Sequence, residues 1–243
     1  MAKAYKSTNS NMLEEELKIN KINLNDKIIA LGGNPNVGKS TVFNSLTGLN
    51  QHTGNWPGKT VTNAHGNYFY KNNNFILVDI PGTYSLMANS IEEEVARDFI
   101  CFGNPDTTVI VVDATCLERN LNLVLQTLEI TSKVVVCVNL MDEAKRKGIS
   151  INIDKLSKKL GVPVVGTSAL HGDGLNNLMD AVLEVSSKDI IPNTLSVVYD
   201  DPIEEAIGEV QDIIKLKFQN TVNSRWLALK IIDGDKTLLA SIN

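Results

Sequence analysis

Eight consecutive residues constrain this chain most. Gly33-Asn34-Pro35-Asn36-Val37-Gly38-Lys39-Ser40 fits GxxxxGK(S/T) at every fixed position. The β-branched run Ile28-Ile29-Ala30-Leu31 precedes it, and Thr41-Val42-Phe43-Asn44-Ser45-Leu46 follows with helix spacing. Strand, glycine turn and helix in that order are the setting such a loop needs. The glycines let backbone N–H groups turn inward around a phosphate at the helix N-terminus. Lys39 supplies positive charge to the β and γ phosphates, and the Ser40 hydroxyl is a Mg²⁺ ligand. Asn34, Asn36, Val37, Gly38 and Thr41 are assigned to the same cradle.

A parallel sheet covered on both faces requires near-continuous apolar strands separated by helices. The runs Phe75 to Val78, Val109 to Val112, Val134 to Val138 and Val162 to Val165 supply the strands. Leu121 to Ile130, Ile153 to Leu160 and Leu175 to Val185 have helix spacing. Tyr68-Phe69-Tyr70, then Asn72-Asn73-Asn74, then Phe75 reads as a hairpin and predicts one antiparallel edge strand. The class is α/β, doubly wound and mostly parallel. After Lys188 the pattern becomes helical. Asp200-Asp201-Pro202 with Glu204 and Glu205 reads as a helix start, and Ile203, Ala206, Ile207, Val210, Ile213 and Ile214 continue it. Trp226, Leu229 and Ile232 predict a second helix ended by Asp233-Gly234, and a third begins near Asp235. The expected division is a polar extension over 1–26, an α/β domain over 27–188 and a small all-α subdomain over 189–243. Leu13 and Leu17 suggest one short helix in the extension, with Glu14, Glu15 and Glu16 as a solvated face. The chain stops within the helical pattern, so a fragment with an incomplete last helix is expected.

Lys plus Arg number 23 and Asp plus Glu 28, a net charge of −5 that excludes a chain-wide cationic nucleic-acid binder. Three cysteines, Cys101, Cys116 and Cys137, are too few and too scattered for a disulfide framework or a zinc finger. Their neighbours predict burial and inertness. No run approaches the ~20 apolar residues of a membrane span, so this chain alone is expected to be soluble.

A second Mg²⁺ ligand is expected at a strand end. Asp79 follows Phe75 to Val78 and leads into Ile80-Pro81-Gly82, where the glycine N–H can approach a γ phosphate. Alone, Asp-x-Pro-Gly is an ordinary turn; its place about 40 residues after Lys39 gives it meaning. For a base, a carboxylate accepts two hydrogen bonds from guanine N1–H and N2–H₂, whereas adenine turns a lone pair towards it. Asn139-Leu140-Met141-Asp142, directly after a strand, supplies Asp142 as that carboxylate and Asn139 as a brace between loops. Leu140 stands where NKxD motifs carry lysine, and its side chain is expected to cover the base plane. Thr167-Ser168-Ala169 is placed to offer a backbone N–H to guanine O6, with Ser168 and Ala169 as nucleotide contacts. Each piece is weak alone, and the order of the four makes them strong together.

With these motifs in place, the sequence resembles the cytosolic G domain of bacterial ferrous iron transport protein B. The resemblance rests on the 33–40 loop, on Gly54-Asn55-Trp56-Pro57-Gly58-Lys59-Thr60-Val61, on Asp79 to Leu86 and on Asn139 to Asp142. Gly103 to Asp106, Val112 to Leu121 and Ser224 to Ala228 agree with it. It implies a small-GTPase-like P-loop fold with a helical spacer that slows nucleotide release. It implies that Thr60 is a switch I Mg²⁺ ligand, with Gly58 and Lys59 beside it at the nucleotide. It implies that Asn36, with the carbonyls of Gly54 and Trp56, holds an activating K⁺ that acts as an arginine finger does elsewhere. Asn36, Lys39, Thr60 and Gly82 are then the catalytic set. The substrate is GTP, and hydrolysis gates or drives Fe²⁺ uptake by a membrane-embedded portion at the cytoplasmic face of the inner membrane. A homo-oligomer is left open, and nucleic acid is not expected as a partner.

Thr83 stands where Ras-type enzymes carry the glutamine that orients water, so slow, Mg²⁺-dependent, K⁺-stimulated turnover is expected. Trp56 is either a core anchor or an exposed switch residue, and the resemblance favours exposure. Trp226 is read as packing, His52, His65 and His171 as solvated, and Glu92, Glu93 and Glu94 as an exposed helix start with a role near the water left open. Rival readings are a ribosome- or tRNA-associated GTPase, a nucleotide-dependent interaction switch without hydrolysis, and, more distantly, an ATPase. The acidic tail residues Asp200, Asp201, Glu204, Glu205 and Glu209 weigh against an RNA appendage.

Overall fold

The computed structural model describes residues 23, 25–48, 51–57, 59–188, 197–218, 223–235 and 237–238. The helix expected near Leu13 lies outside them, as do Gly58 and most of the segment where a third tail helix is expected. Seven strands form one sheet in the order β2-β3-β4-β1-β5-β6-β7. They are β1 (Lys27–Gly33), β2 (Gln51–Asn55), β3 (Thr62–Tyr70), β4 (Asn73–Asp79), β5 (Thr107–Asp113), β6 (Val134–Asn139) and β7 (Val164–Gly166). The five strands from β4 to β7 pair in parallel. β3 runs against them, joined to β4 by a hairpin. Lys71 and Asn72 both carry positive φ, 45° and 62°, which matches the twist of a two-residue hairpin turn. β2 pairs outside β3 and forms the edge.

Successive strand residues face opposite sides, and here both sides are apolar. Ile28, Ala30, Ile76, Val78, Ile110, Val112, Val136 and Val138 share one buried cluster. Helices α2 (Ile91–Phe102), α3 (Leu117–Ile130), α4 (Met141–Arg146) and α5 (Ile153–Leu160) contribute Val95, Phe99, Leu123, Leu128, Ala144 and Leu160 to it. The alternating residues Ile29, Leu31, Phe75, Leu77, Val109, Val111 and Val135 face α1 (Lys39–Thr47) and α6 (Leu175–Ser186), which bring Val42, Phe43, Leu178 and Val182. Burying a Leu or Val side chain contributes about 1.5–3 kcal/mol, so this central sheet is the rigid base on which the loops at its carboxyl edge are held.

The helical tail packs on the α2–α3 side. Helices α7 (Asp201–Phe218) and α8 (Ser224–Ile232) insert Ile207, Ile214, Trp226 and Leu227 into the same cluster. Arg225 makes a two-point contact with Glu204, 2.6 and 2.7 Å, which holds the Glu204 carboxyl down at about 2. Arg97 of α2, fully buried, ion-pairs with Asp98 and Asp235 and donates to the Thr237 hydroxyl at 2.8 Å. A charged group with three partners is what makes that burial tolerable. Cys101 and Cys137 are buried, and burial raises both thiols, Cys137 to about 12. Cys116 departs from the expectation: it is exposed at the short turn between β5 and α3, because that turn lifts it off the sheet. No described helix is long and apolar enough to cross a membrane.

Candidate functional site

The loops that follow β1, β4, β6 and β7 meet at the carboxyl edge of the sheet, the place where open α/β sheets bind ligands. Gly38 caps the N-terminus of α1 with φ 81°, a left-handed conformation. A Cβ there would lie 2.4 Å from Nδ2 of Asn139. That amide is buried, and it links three loops. Its Nδ2 donates to the Val37 carbonyl at 3.1 Å, and its Oδ1 accepts from the Thr167 hydroxyl and the Ala169 N–H, each at 3.1 Å. Asn139 therefore ties the phosphate loop to the base loop. Gly38→Ala is expected to cost about 1–3 kcal/mol in stability from backbone strain and to abolish tight nucleotide binding. Urea unfolding and a fluorescent-nucleotide titration check the two effects separately.

Lys39, Thr60, Asp79, Ile80, Gly82 and Glu92 line one cleft of about 400 Å³. Lys39 donates to the Asp79 carboxylate and, at 2.9 Å, to the Ile80 carbonyl. Burial pushes the Asp79 carboxyl up, and the Lys39 ammonium only partly offsets this. Ser40 stands exposed in the first turn of α1, and Asn36 is exposed with φ 66°. Asn34 is buried, and neither atom of its amide has a hydrogen-bond partner among the described residues. A buried donor left open in such a loop is one that a bound phosphate can satisfy. The loop after β4, expected as switch II over about 79–89, is anchored beside it: the Thr83 N–H donates to the Gly33 carbonyl at 3.2 Å. The Thr83 hydroxyl donates to the Ser85 carbonyl at 2.7 Å, so it is turned into its own loop and not towards the cleft.

The segment expected as switch I, about 48–63, corrects one expectation. Trp56 is only 4% exposed, its ring edge-on to Phe99 of α2 at 5.2 Å. The large apolar area of an indole outweighs the polar character of the surrounding segment, so Trp56 is a core anchor here. Its backbone N–H donates to the Val61 carbonyl and its carbonyl accepts from the backbone N–H of Lys59. Gly54 lies in β2 opposite Asn63. Lys59 pairs with Glu94 at 2.8 Å instead of lining the cleft. Thr60, by contrast, reaches the same cleft as Lys39 and Asp79.

At the base loop, Leu140 adopts φ 64° and Asp142 lies in the first turn of α4, its N–H donating to the Ser168 hydroxyl at 3.1 Å. His171, expected to be solvated, is indeed exposed, and its Nε2 lies 3.7 Å from the Asp142 carboxylate. Its position two residues past Ala169, in the loop already assigned to the base, is the signal that was available. The Ala169 N–H donates to Asn139 in this arrangement, so contact with a base oxygen would share that donor.

Comparison with known proteins agrees with this geometry. Residues 27–182 match the family model of ferrous iron transport protein B, and residues 199–243 match that of the FeoB cytosolic helical domain. The chain is 38% identical over 211 residues to the Fe(2+) transporter FeoB of Salmonella choleraesuis, covering 85% of this chain and 27% of that protein. The Escherichia coli K12 protein of the same name is 38% identical over 213 residues, again with 27% of its length covered. The chain thus spans about a quarter of the length of these relatives. Among solved structures, the cytosolic domain of T. maritima FeoB in a GDP form matches with a TM-score of 0.82 and 38% identity, over 90% of this chain and 86% of that one. The cytosolic domain of L. pneumophila FeoB matches with a TM-score of 0.77 and 32% identity, over 86% and 88%.

Proposed function

The chain belongs to the ferrous iron transport protein B family, and we propose that it binds Mg²⁺·GTP, hydrolyses it slowly and serves as the nucleotide switch of a ferrous iron transporter. The observation that carries this reading is the convergence of Lys39, Asp79, Thr60 and Gly82 on one cleft, with Asn139 tying the phosphate loop to the 167–169 loop, whose Ser168 hydroxyl accepts from the Asp142 N–H. In the family's GDP- and GMPPNP-bound structures of the T. maritima domain the same architecture holds guanine nucleotides. The G domain is taken as 27–188 and the helical spacer as 189–243. Iron would move through a membrane-embedded portion, with this chain at the cytoplasmic face.

The donor set suits a hard dication. The Asp79 carboxylate and the hydroxyls of Ser40 and Thr60 are oxygen ligands, which Mg²⁺ prefers. Bound there, Mg²⁺ would neutralise charge on the β and γ phosphates. Lys39 would leave Asp79 and Ile80 for the phosphates, and the Gly82 N–H would report the γ phosphate to switch II. With Thr83 turned away, no side chain at that position orients water, which supports slow turnover. A competition titration of GTP against ATP tests base choice, and single-turnover phosphate release separates an enzyme from a purely shape-changing switch. Failure of both overturns the reading.

K⁺ stimulation is proposed on the resemblance, with Asn36 and the carbonyls of Gly54 and Trp56 as its ligands. Because the Trp56 carbonyl accepts from Lys59 here, switch I must rearrange to complete that shell. Hydrolysis is expected to run faster in KCl than in NaCl, and Asn36→Ala to erase the difference. Equal rates for the unaltered chain would remove K⁺ from the mechanism.

A further inference from the structure

The edge strand β2 carries a feature that nucleotide binding does not use. His52 of β2 and His65 of β3 are direct cross-strand partners, so their side chains share one face of the sheet. Their rings are stacked with centroids 5.2 Å apart and planes 27° from parallel. We propose that His52 and His65 form a site for a divalent transition-metal ion of the Zn²⁺ type, bridging β2 to β3.

Imidazole is the common protein ligand for Zn²⁺ and its first-row neighbours. Two metal–nitrogen bonds of ~2.0–2.1 Å need ring nitrogens roughly 3–4 Å apart. As direct cross-strand partners with ring centroids 5.2 Å apart, the two imidazoles are near enough for one ion to engage both once the rings rotate out of their stack. His52 is exposed and His65 half-exposed, which leaves the ion access and room for water ligands. Among the described residues no cluster of three or more His, Cys, Asp or Glu side chains could hold a metal, so two imidazoles and water are the expected set. The bridge has a mechanical consequence. Among the described residues β2 pairs with β3 alone, and a metal held by both strands fastens this edge to the sheet.

The site is distinct from the Mg²⁺ cleft, because Mg²⁺ takes oxygen ligands. Calorimetric titration of ZnCl₂ into the nucleotide-free chain, with Mg²⁺ in large excess, is expected to show one Zn²⁺ per chain. Either His52→Ala or His65→Gln should abolish it, and Cys116→Ser should not. Zn²⁺ should also slow amide exchange in β2, an effect that the His52→Ala variant loses. His52 is exposed, so its replacement leaves folding intact. Absence of saturable binding in the unaltered chain, or binding that survives both histidine variants, overturns the proposal.

Discussion

Lys39→Met is expected to weaken Mg²⁺·GTP binding by roughly 2–5 kcal/mol, from about thirtyfold to several thousandfold, the cost of removing one partner of a desolvated charge contact. Without nucleotide, the Lys39 ammonium is held by Asp79 and the Ile80 carbonyl. Its loss therefore also leaves Asp79 as a partly buried carboxylate without its cation. Burial already raises the Asp79 carboxyl and Lys39 lowers it, so the variant's carboxyl titrates higher still. The sign of the pH effect follows. An acid whose folded pKa lies above its unfolded value binds protons better when folded, so the penalty grows as pH rises through the folded pKa and fades in acid. Urea unfolding at pH 5 and pH 7.5 should find Lys39→Met closer to the unaltered protein at the lower pH. Adding Asp79→Asn should restore stability and leave the binding defect in place. If Lys39→Met kept its nucleotide affinity, the phosphate cradle would be the wrong reading of residues 33–40.

Legibility depended on whether a feature is local in the chain. The phosphate loop, Asp79 and Asn139 were readable because each follows a strand directly, and strand ends in a parallel sheet all arrive at one edge. The brace role of Asn139 could be anticipated for the same reason. β2 could not. Gln-His-Thr-Gly-Asn has no apolar alternation, and it is a strand only because β3 offers it hydrogen bonds. Trp56 was misplaced because its neighbours are polar, while the partner that buries it, Phe99, is over forty residues away. Arg97 sits in an acidic helix start that reads as surface, and its burial follows from Asp235 and Thr237 in the tail. Such pairings are made by tertiary packing, and no window of sequence contains both members.

Asp142→Asn is expected to reverse base preference, and it is the sharpest test of the guanine reading. A carboxylate accepts from both guanine N1–H and N2–H₂. An asparagine at the same place offers one acceptor and one donor, so the donor confronts the N2 amine. Xanthine keeps N1–H and replaces the amine with a carbonyl, which matches asparagine. A site built around hydrogen bonds rejects the mismatched base by about 10⁴, so GTP affinity should fall by two orders of magnitude or more while xanthosine triphosphate gains. The geometry favours a clean exchange. The Asp142 backbone N–H, not its side chain, bonds the Ser168 hydroxyl at 3.1 Å, and that contact survives the substitution. The Asn139 brace is likewise untouched. His171, whose Nε2 lies 3.7 Å from the carboxylate, is a neighbouring side chain that the substitution touches. His171→Ala in the unaltered background therefore serves as the control, and it should leave the order GTP over xanthosine triphosphate unchanged. If Asp142→Asn still preferred GTP, a group other than this carboxylate would be reading the base.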